Sequence, residues 1–421
     1  MRAAAPPAAS RIGPGPAAEA AEPVTKGEFD ALMAPLGPFG PTPVMLAGVS
    51  GGPHSLALAL LTDAWARARG GRLLALVCDH GLRPESGEEA AGVAAMLARR
   101  GIAARVESLG LTPGAGAQER ARAARLRALL RACRAQGAPW LLLGHHRHDQ
   151  AETLLMRALA GSGPAGLAAM ATVRAEAEAL VLRPLLGVAP ARLEAVVAEA
   201  GLEPVRDPSN RDARFTRIRL RGGLGEGAVS VLAETAARFG QRRRRMAAQV
   251  AGRLAGAAML HDAGFARLDL PALGSDPVAR AALSALVRVV AGAAYPPPEA
   301  AVGRLLAQGE GTLAGVVLRR GGLLLREAAA LGPPVEARAG ALWDGRFRLV
   351  GAPPPGAMIG AAGEAARRLK RPGWMPAGVV PTLPALYVNG TLAEVPALAY
   401  RIASCRADSA FRFAPAGGAM T

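Results

Sequence analysis

Three short stretches hold most of the residues able to do chemistry. The first is Ser50-Gly51-Gly52-Pro53-His54-Ser55, which pairs adjacent glycines with a serine at either end. Glycines let backbone N–H groups come close to a bound anion, and the hydroxyls add donors. Pro53 suits the first position of a helix, where its missing N–H would have no partner anyway. That helix would turn its partial positive N-terminus toward the same turn. The stretch lacks the Gly-Lys-Ser/Thr ending of a Walker loop and the G-x-G-x-x-G spacing of a dinucleotide fold. It outlines a pyrophosphate site, with an ordinary glycine-rich strand-to-helix turn as the alternative.

The second stretch, Asp79-His80-Gly81-Leu82-Arg83-Pro84-Glu85-Ser86, crowds charged and hydrogen-bonding residues behind an apolar run. The third is the most polar: His145, His146, His148, Asp149 and Glu152 lie within eight residues. Asp149 and Glu152 are three apart and share a face if the segment is helical. The spacing is not a standard zinc set. Acidic residues facing a phosphate turn suit Mg²⁺ or a cationic substrate, and acidic helix caps are the bland alternative. Farther on, Arg217, Arg219 and Arg221 recur at every second position and would present a row of phosphate-reading guanidiniums. The run Arg242-Arg243-Arg244-Arg245 reads as a solvated helix face or a nucleic-acid contact.

These stretches need elements to hold them. Residues 44–49 are apolar or small without polar alternation, as in a strand covered on both faces, 73–78 and 140–144 read as further buried strands, 103–106 as a short strand and 180–185 as a final one. Helical patterns at 25–37, from Ser55, at 88–100, 116–136, through Met156 and Leu159, and at 190–200 alternate with them. Such alternation means βαβ units and a doubly wound parallel sheet, an α/β fold. The polar clusters follow residues 49, 78 and 144, the strand ends where open α/β sheets bind ligands. Residues 1–24 are expected as a disordered tail and 25–222 as the α/β domain, with a composition change at Gly222-Gly223. A helical domain is expected over 223–310 and a small mixed domain over 311–421.

The chain of 421 residues has a formal charge of +17, which favours a polyanionic partner, nucleic acid first. Cys78, Cys133 and Cys405 are far apart, which argues against a disulfide framework or a cysteine-held metal and for a reducing cytoplasm. No apolar run is long enough to span a membrane, so no membrane partner is expected.

The stretch from Ser50 to Ser55 resembles the Ser-Gly-Gly-x-Asp-Ser loop of the N-type ATP pyrophosphatases, the PP-loop family. Asp79 to Ser86, Gly144-His145-His146 with Asp149 to Thr153, Arg157 with Gly161-Ser162-Gly163, and Asp207 to Asn210 with Phe215 to Arg219 follow in the order found in the tRNA(Ile)-lysidine synthases. The resemblance runs over about residues 44 to 221. It implies an ATP-dependent ligase forming a C–N bond: lysine is joined to C2 of the first anticodon cytidine of a tRNA(Ile) bearing CAU, through an adenylated intermediate. It assigns Ser50, Gly51, Gly52, Pro53, His54 and Ser55 to ATP, with Mg²⁺ accompanying the phosphates and Asp149 as a candidate ligand. Asp149, Glu152 and His145 would serve lysine and catalysis, and Asp79, His80 and Arg122 the nucleotide or substrate. Arg217, Arg219, Arg242 and Arg243 would contact tRNA, and the family precedent is a homodimer. Two departures stand out, because His54 and His148 occupy positions where the family has Asp. They leave open a weakened tRNA-binding homologue, beside a different PP-loop tRNA-modifying enzyme. Imidazole is a poor magnesium ligand.

Overall fold

A computed structural model of the chain describes residues 21–81, 85–111, 114, 116–205, 223–403 and 408–415. Leu82-Arg83-Pro84, Asp207 to Asn210, Phe215 to Arg221 with Arg217 and Arg219, Cys405 and the first twenty residues lie outside these.

The chain divides into two compact units between Gly240 and Gln241. The first is built on β1 (Val44–Val49), which pairs in parallel with β2 (Arg72–Asp79) on one side and β4 (Trp140–Leu143) on the other. Outside them lie β3 (Ala103–Ser108), parallel to β2, and β6 (Leu180–Leu182), parallel to β4. The sheet is a doubly wound α/β sheet, as the alternation of runs predicts. Its last strand, β5 (Val173–Ala175), is antiparallel to β6 and makes the order β3-β2-β1-β4-β6-β5. Three residues carry too little periodicity to announce that edge strand.

The apolar runs are explained by burial on both faces. Met45, Ala47 and Val49 of β1 pack into one core with Phe29 and Met33 of α1 (Lys26–Met33), Leu56, Leu58 and Trp65 of α2 (Pro53–Arg67), Val93 and Leu97 of α3 (Ser86–Arg99), and Leu193 and Val197 of a later helix, Pro190–Glu199. Leu46 points the other way, to Leu129, Leu130 and Cys133 of α4 (Ala117–Gln136). Helices therefore cover the two faces, and the winding reverses between β1 and β4. The crevice at such a reversal is where open α/β sheets bind ligands. The end of β4 feeds α5 (Arg147–Leu159), the short α6 (Pro164–Leu167) follows it, and β6 leads on to α7, the Pro190–Glu199 helix.

The second strand end is pinned by Asp79. Its Oδ1 accepts from the Gly81 N–H at 2.9 Å and from Ser86 Oγ at 2.6 Å, tying β2 to the start of α3.

The second unit is largely antiparallel. Residues 228–310, expected as helix, include two strands, Ala258–His261 and Phe265–Leu268. Four residues each are too few for alternation to show against an alanine- and leucine-rich background. These strands join Gly311–Leu313, Val316–Arg319 and Leu323–Arg326 in one five-stranded sheet. Ala266, Leu286, Val302, Leu318 and Leu324 share one core, so residues on both sides of 310 fold as one body. Smaller antiparallel sheets follow. Among the described residues no helix is long and apolar enough to cross a membrane.

Two outcomes follow from this packing. Leu46→Ala should cost about 2–5 kcal/mol, read as a lower urea midpoint with an unchanged slope. The Ser86 hydrogen bond holds the Asp79 carboxyl below its usual range. A depressed carboxyl stabilises the fold above its unfolded pKa and loses that contribution as pH falls through the folded value. The melting-temperature gap between native protein and Asp79→Asn should therefore be present at neutral pH and close on acidification; a gap independent of pH would refute the assignment.

Candidate functional site

From β1 the chain turns over Ser50 and Gly51 into Gly52, the N-cap of α2, with Pro53 at the first helical position as the sequence predicts. Gly51 has φ +81°, and a Cβ there would lie 2.6 Å from Val93 Cγ2, so both conformation and space require glycine. Hydroxyls close the turn. The Ser50 N–H donates to Ser55 Oγ at 3.1 Å, Ser55 Oγ donates to the Gly52 carbonyl at 2.9 Å, and the two Oγ atoms are 3.2 Å apart. Ser55 thus acts mainly as the lock of the turn. From behind, the Val205 N–H donates to the Gly51 carbonyl at 2.9 Å. The early N–H groups of a helix have no partner within it, which makes this end a seat for negative charge.

Gly144 brings the second cluster to the first. A Cβ on it would lie 3.0 Å from the His54 carbonyl oxygen and 3.1 Å from Ser55 Cα, so the exit of β4 runs directly against the first turn of α2. The His54 and His146 rings consequently meet edge to face, with centroids 4.1 Å apart. His146 is buried and caps α5; its N–H donates to Asp149 Oδ2 at 2.9 Å. His54 Nε2 lies 3.6 Å from Glu194 Oε1 on α7. His148 Nε2 lies 2.8 Å from Glu226 Oε1, and Arg147 Nη2 lies 3.1 Å from the other oxygen of the same carboxylate.

Charge in this crevice is set by desolvation. Burial pushes the His145 imidazole down to about 3; Asp149 opposes this, while Arg183, Arg125 and Arg122 add to it. Burial also lowers His80, reinforced by Arg125. Burial raises the Cys78 thiol to about 11, so it stays protonated at neutral pH. Both histidines are uncharged at neutral pH, and His145 can offer a hydrogen bond without repelling a cation. Among the described residues no three His, Cys, Asp or Glu side chains are grouped to hold a metal.

Of the residues singled out in the sequence, Ser50, Gly52, Pro53, His54, Ser55, His145 and Asp149 line one cleft of about 760 Å³. Gly51 shapes the turn without lining the cleft. Glu152 is buried on α5 outside the lining, and Asp79 and His80 sit at the end of the neighbouring strand while Cys78 reaches the cleft. Arg122 is exposed on α4; Arg125, one turn later, is the arginine in the lining. Arg242 and Arg243 lie on the helix Glu226–Ala257, within the second unit. Sequence reasoning missed Glu194. Its signal was its spacing to Val197 and Ala198, which line the cleft with it at the i, i+3, i+4 positions of one helix face.

Comparison with known proteins bears on this arrangement. Residues 24–227 match the model of the PP-loop domain. The tRNA(Ile)-lysidine synthase of Bradyrhizobium sp. strain BTAi1 is 44% identical over 202 residues, covering 47% of this chain and 56% of that protein. That of Bradyrhizobium diazoefficiens is 40% identical over 205 residues, covering 47% and 57%. The matched part thus spans little more than half the length of these two relatives. The match to the Mesorhizobium japonicum enzyme is longer, 36% identity over 352 residues, and covers 77% of this chain and 76% of the relative. With a locked glycine turn at the β1–α2 junction, a histidine and acid cluster beside it and relatives matched well beyond that junction, the chain belongs to the tRNA(Ile)-lysidine synthase family.

Proposed function

We propose that this protein ligates lysine to the first anticodon cytidine of a tRNA(Ile) bearing CAU, at the expense of ATP. The observation that carries the reading is that the Ser50–Ser55 turn and the His145–Asp149 segment face one cleft at the β1/β4 reversal. In the first step the cytidine C2 oxygen attacks the α-phosphorus of ATP, forming an O–P bond and releasing pyrophosphate. In the second the ε-amine of lysine attacks C2, the C–O bond breaks, AMP leaves and the amine loses its proton.

The chain's own groups fit these tasks. The N-terminal turn of α2, with Ser50 and the Gly52 backbone, holds the phosphates; Ser55 keeps the turn closed around them. Arg125 adds a fixed positive charge to the cleft. Asp149 and Glu194 supply negative charge for the lysine ammonium, and neutral His145 accepts or donates a hydrogen bond beside it. ATP brings Mg²⁺ on its phosphates; the described imidazoles are the wrong donors for a magnesium cage, and no step is routed through the ion. The exposed arginines on the helix after Glu226, Arg242 among them, and the basic stretch with Arg217 and Arg219 engage the tRNA backbone. The reaction takes place in the cytoplasm.

Purified protein given ATP, Mg²⁺, lysine and unmodified tRNA(Ile) should release pyrophosphate only when the tRNA is present, and the product nucleoside should be lysidine. A thiolated product would replace this reading with the other PP-loop chemistry. Silence in the native chain with activity in His54→Asp would mean that the imidazole has disabled the phosphate turn. Silence in both with tRNA bound would leave a binding protein. Asp149→Asn keeps an acceptor for the cap but loses the charge; KM for lysine should rise about tenfold or more, with KM for ATP little changed.

A further inference from the structure

The second unit carries an aromatic stack that the ligation chemistry does not use. Phe265 is buried in the core beside Leu325, Met375 and Val379. The His261 ring lies almost parallel to it, 8° between planes and centroids 5.0 Å apart. The Trp374 indole is parallel to His261 within 18° at 4.1 Å, yet is 49% exposed. Only 4% of the chain is aromatic, so an indole left half in water on top of a stack calls for a reason.

The stack is rigid. His261 Nδ1 accepts from the Ala263 N–H at 3.1 Å, which fixes the ring, and Trp374 precedes the fully buried Met375 within Pro372-Gly373-Trp374-Met375-Pro376. Met259, two residues before His261 and so on the same face of its strand, is 64% exposed and extends the apolar surface. Arg267 is its cross-strand partner and is exposed. The segment leading to the indole, residues 364–371, holds Arg367, Arg368, Lys370 and Arg371 against a single acid, Glu364. Arg367 is paired with Glu364, and Arg371 donates to the Met375 carbonyl, while Arg368 and Lys370 are exposed.

We propose that Trp374, stacked on His261 and Phe265, is a platform for an unpaired RNA base, with Arg368 and Lys370 meeting the flanking phosphates. A flat ring on a fixed support costs little ordering on binding, and any base can stack on it. The flanking cations suit the polyanionic strand. A base-paired helix hides the faces of its bases and would use only the cations, so the platform selects single-stranded RNA. The stack belongs to the second unit, and the proposal does not depend on the ligation reading.

The test uses the full chain with a single-stranded RNA decamer and with an abasic decamer of the same length. The normal decamer should bind the native protein about tenfold more tightly than the abasic one and quench tryptophan fluorescence. Trp374→Ala should lose that advantage and leave abasic binding unchanged; Trp374→Phe should keep most of it. Arg368→Ala with Lys370→Ala should instead flatten the salt dependence for both decamers. Equal binding of the two decamers to native protein would overturn the proposal, whatever the variants do to folding. So would a Trp374→Ala protein that still prefers the normal decamer, or one that loses affinity for both equally.

Discussion

The missing side chain of Gly144 is the constraint on which the cleft depends. Because the end of β4 runs against the first turn of α2, with the hypothetical Cβ 3.0 Å from a backbone oxygen, two loops nearly a hundred residues apart share one wall. Their polarity is complementary. One offers N–H groups and hydroxyls at a helix start, the other imidazoles and a carboxylate. A larger residue at position 144 would push the two loops apart without changing any other group that lines the cleft.

The imidazoles of His54 and His148 shape how charge is distributed around the cleft. Carboxylates at positions 54 and 148 would stand beside the carboxylates of Glu194 and Glu226 and be repelled by them. Here His54 rests against His146 and near Glu194, and His148 near Glu226. The acidic neighbours of these imidazoles lie on α7 and at the start of the Glu226–Ala257 helix. His145, stripped of water, is itself uncharged at neutral pH. The cleft is then lined by the backbone of a helix start and by Arg125, together with the carboxylates of Asp149 and Glu194.

Much of the first unit was legible because its signals are local. Apolar runs such as Val44–Val49, a proline opening α2 and polar residues placed just after strand ends each follow from a few neighbouring residues. The positive φ of Gly51 fits the same pattern. What was not legible depends on tertiary contact. Nothing near Arg122 and Arg125 says which of them faces the cleft, and only the packing of α4 on β1 decides it. Glu152 looks as available as Asp149 in the sequence, yet it is buried while Asp149 caps its helix at the cleft. The Phe265–Leu268 strand, which holds the Ala258–His261 strand beside it, is itself paired to residues more than fifty positions later, beyond the reach of a short window on an alanine- and leucine-rich background.

That long-range pairing has a practical meaning for dissecting the molecule. The Phe265–Leu268 strand bonds to Ala258–His261 on one side and to Leu323–Arg326 on the other. A fragment ending near residue 310 would keep the first neighbour and lose the second, baring the backbone of an apolar strand together with Ala266 and Leu286 of the shared core. Exposed edges of that kind recruit other chains. Poor solubility of such a fragment would report a sheet cut through its middle, and cloning boundaries for this half of the protein belong outside the span from 258 to 326.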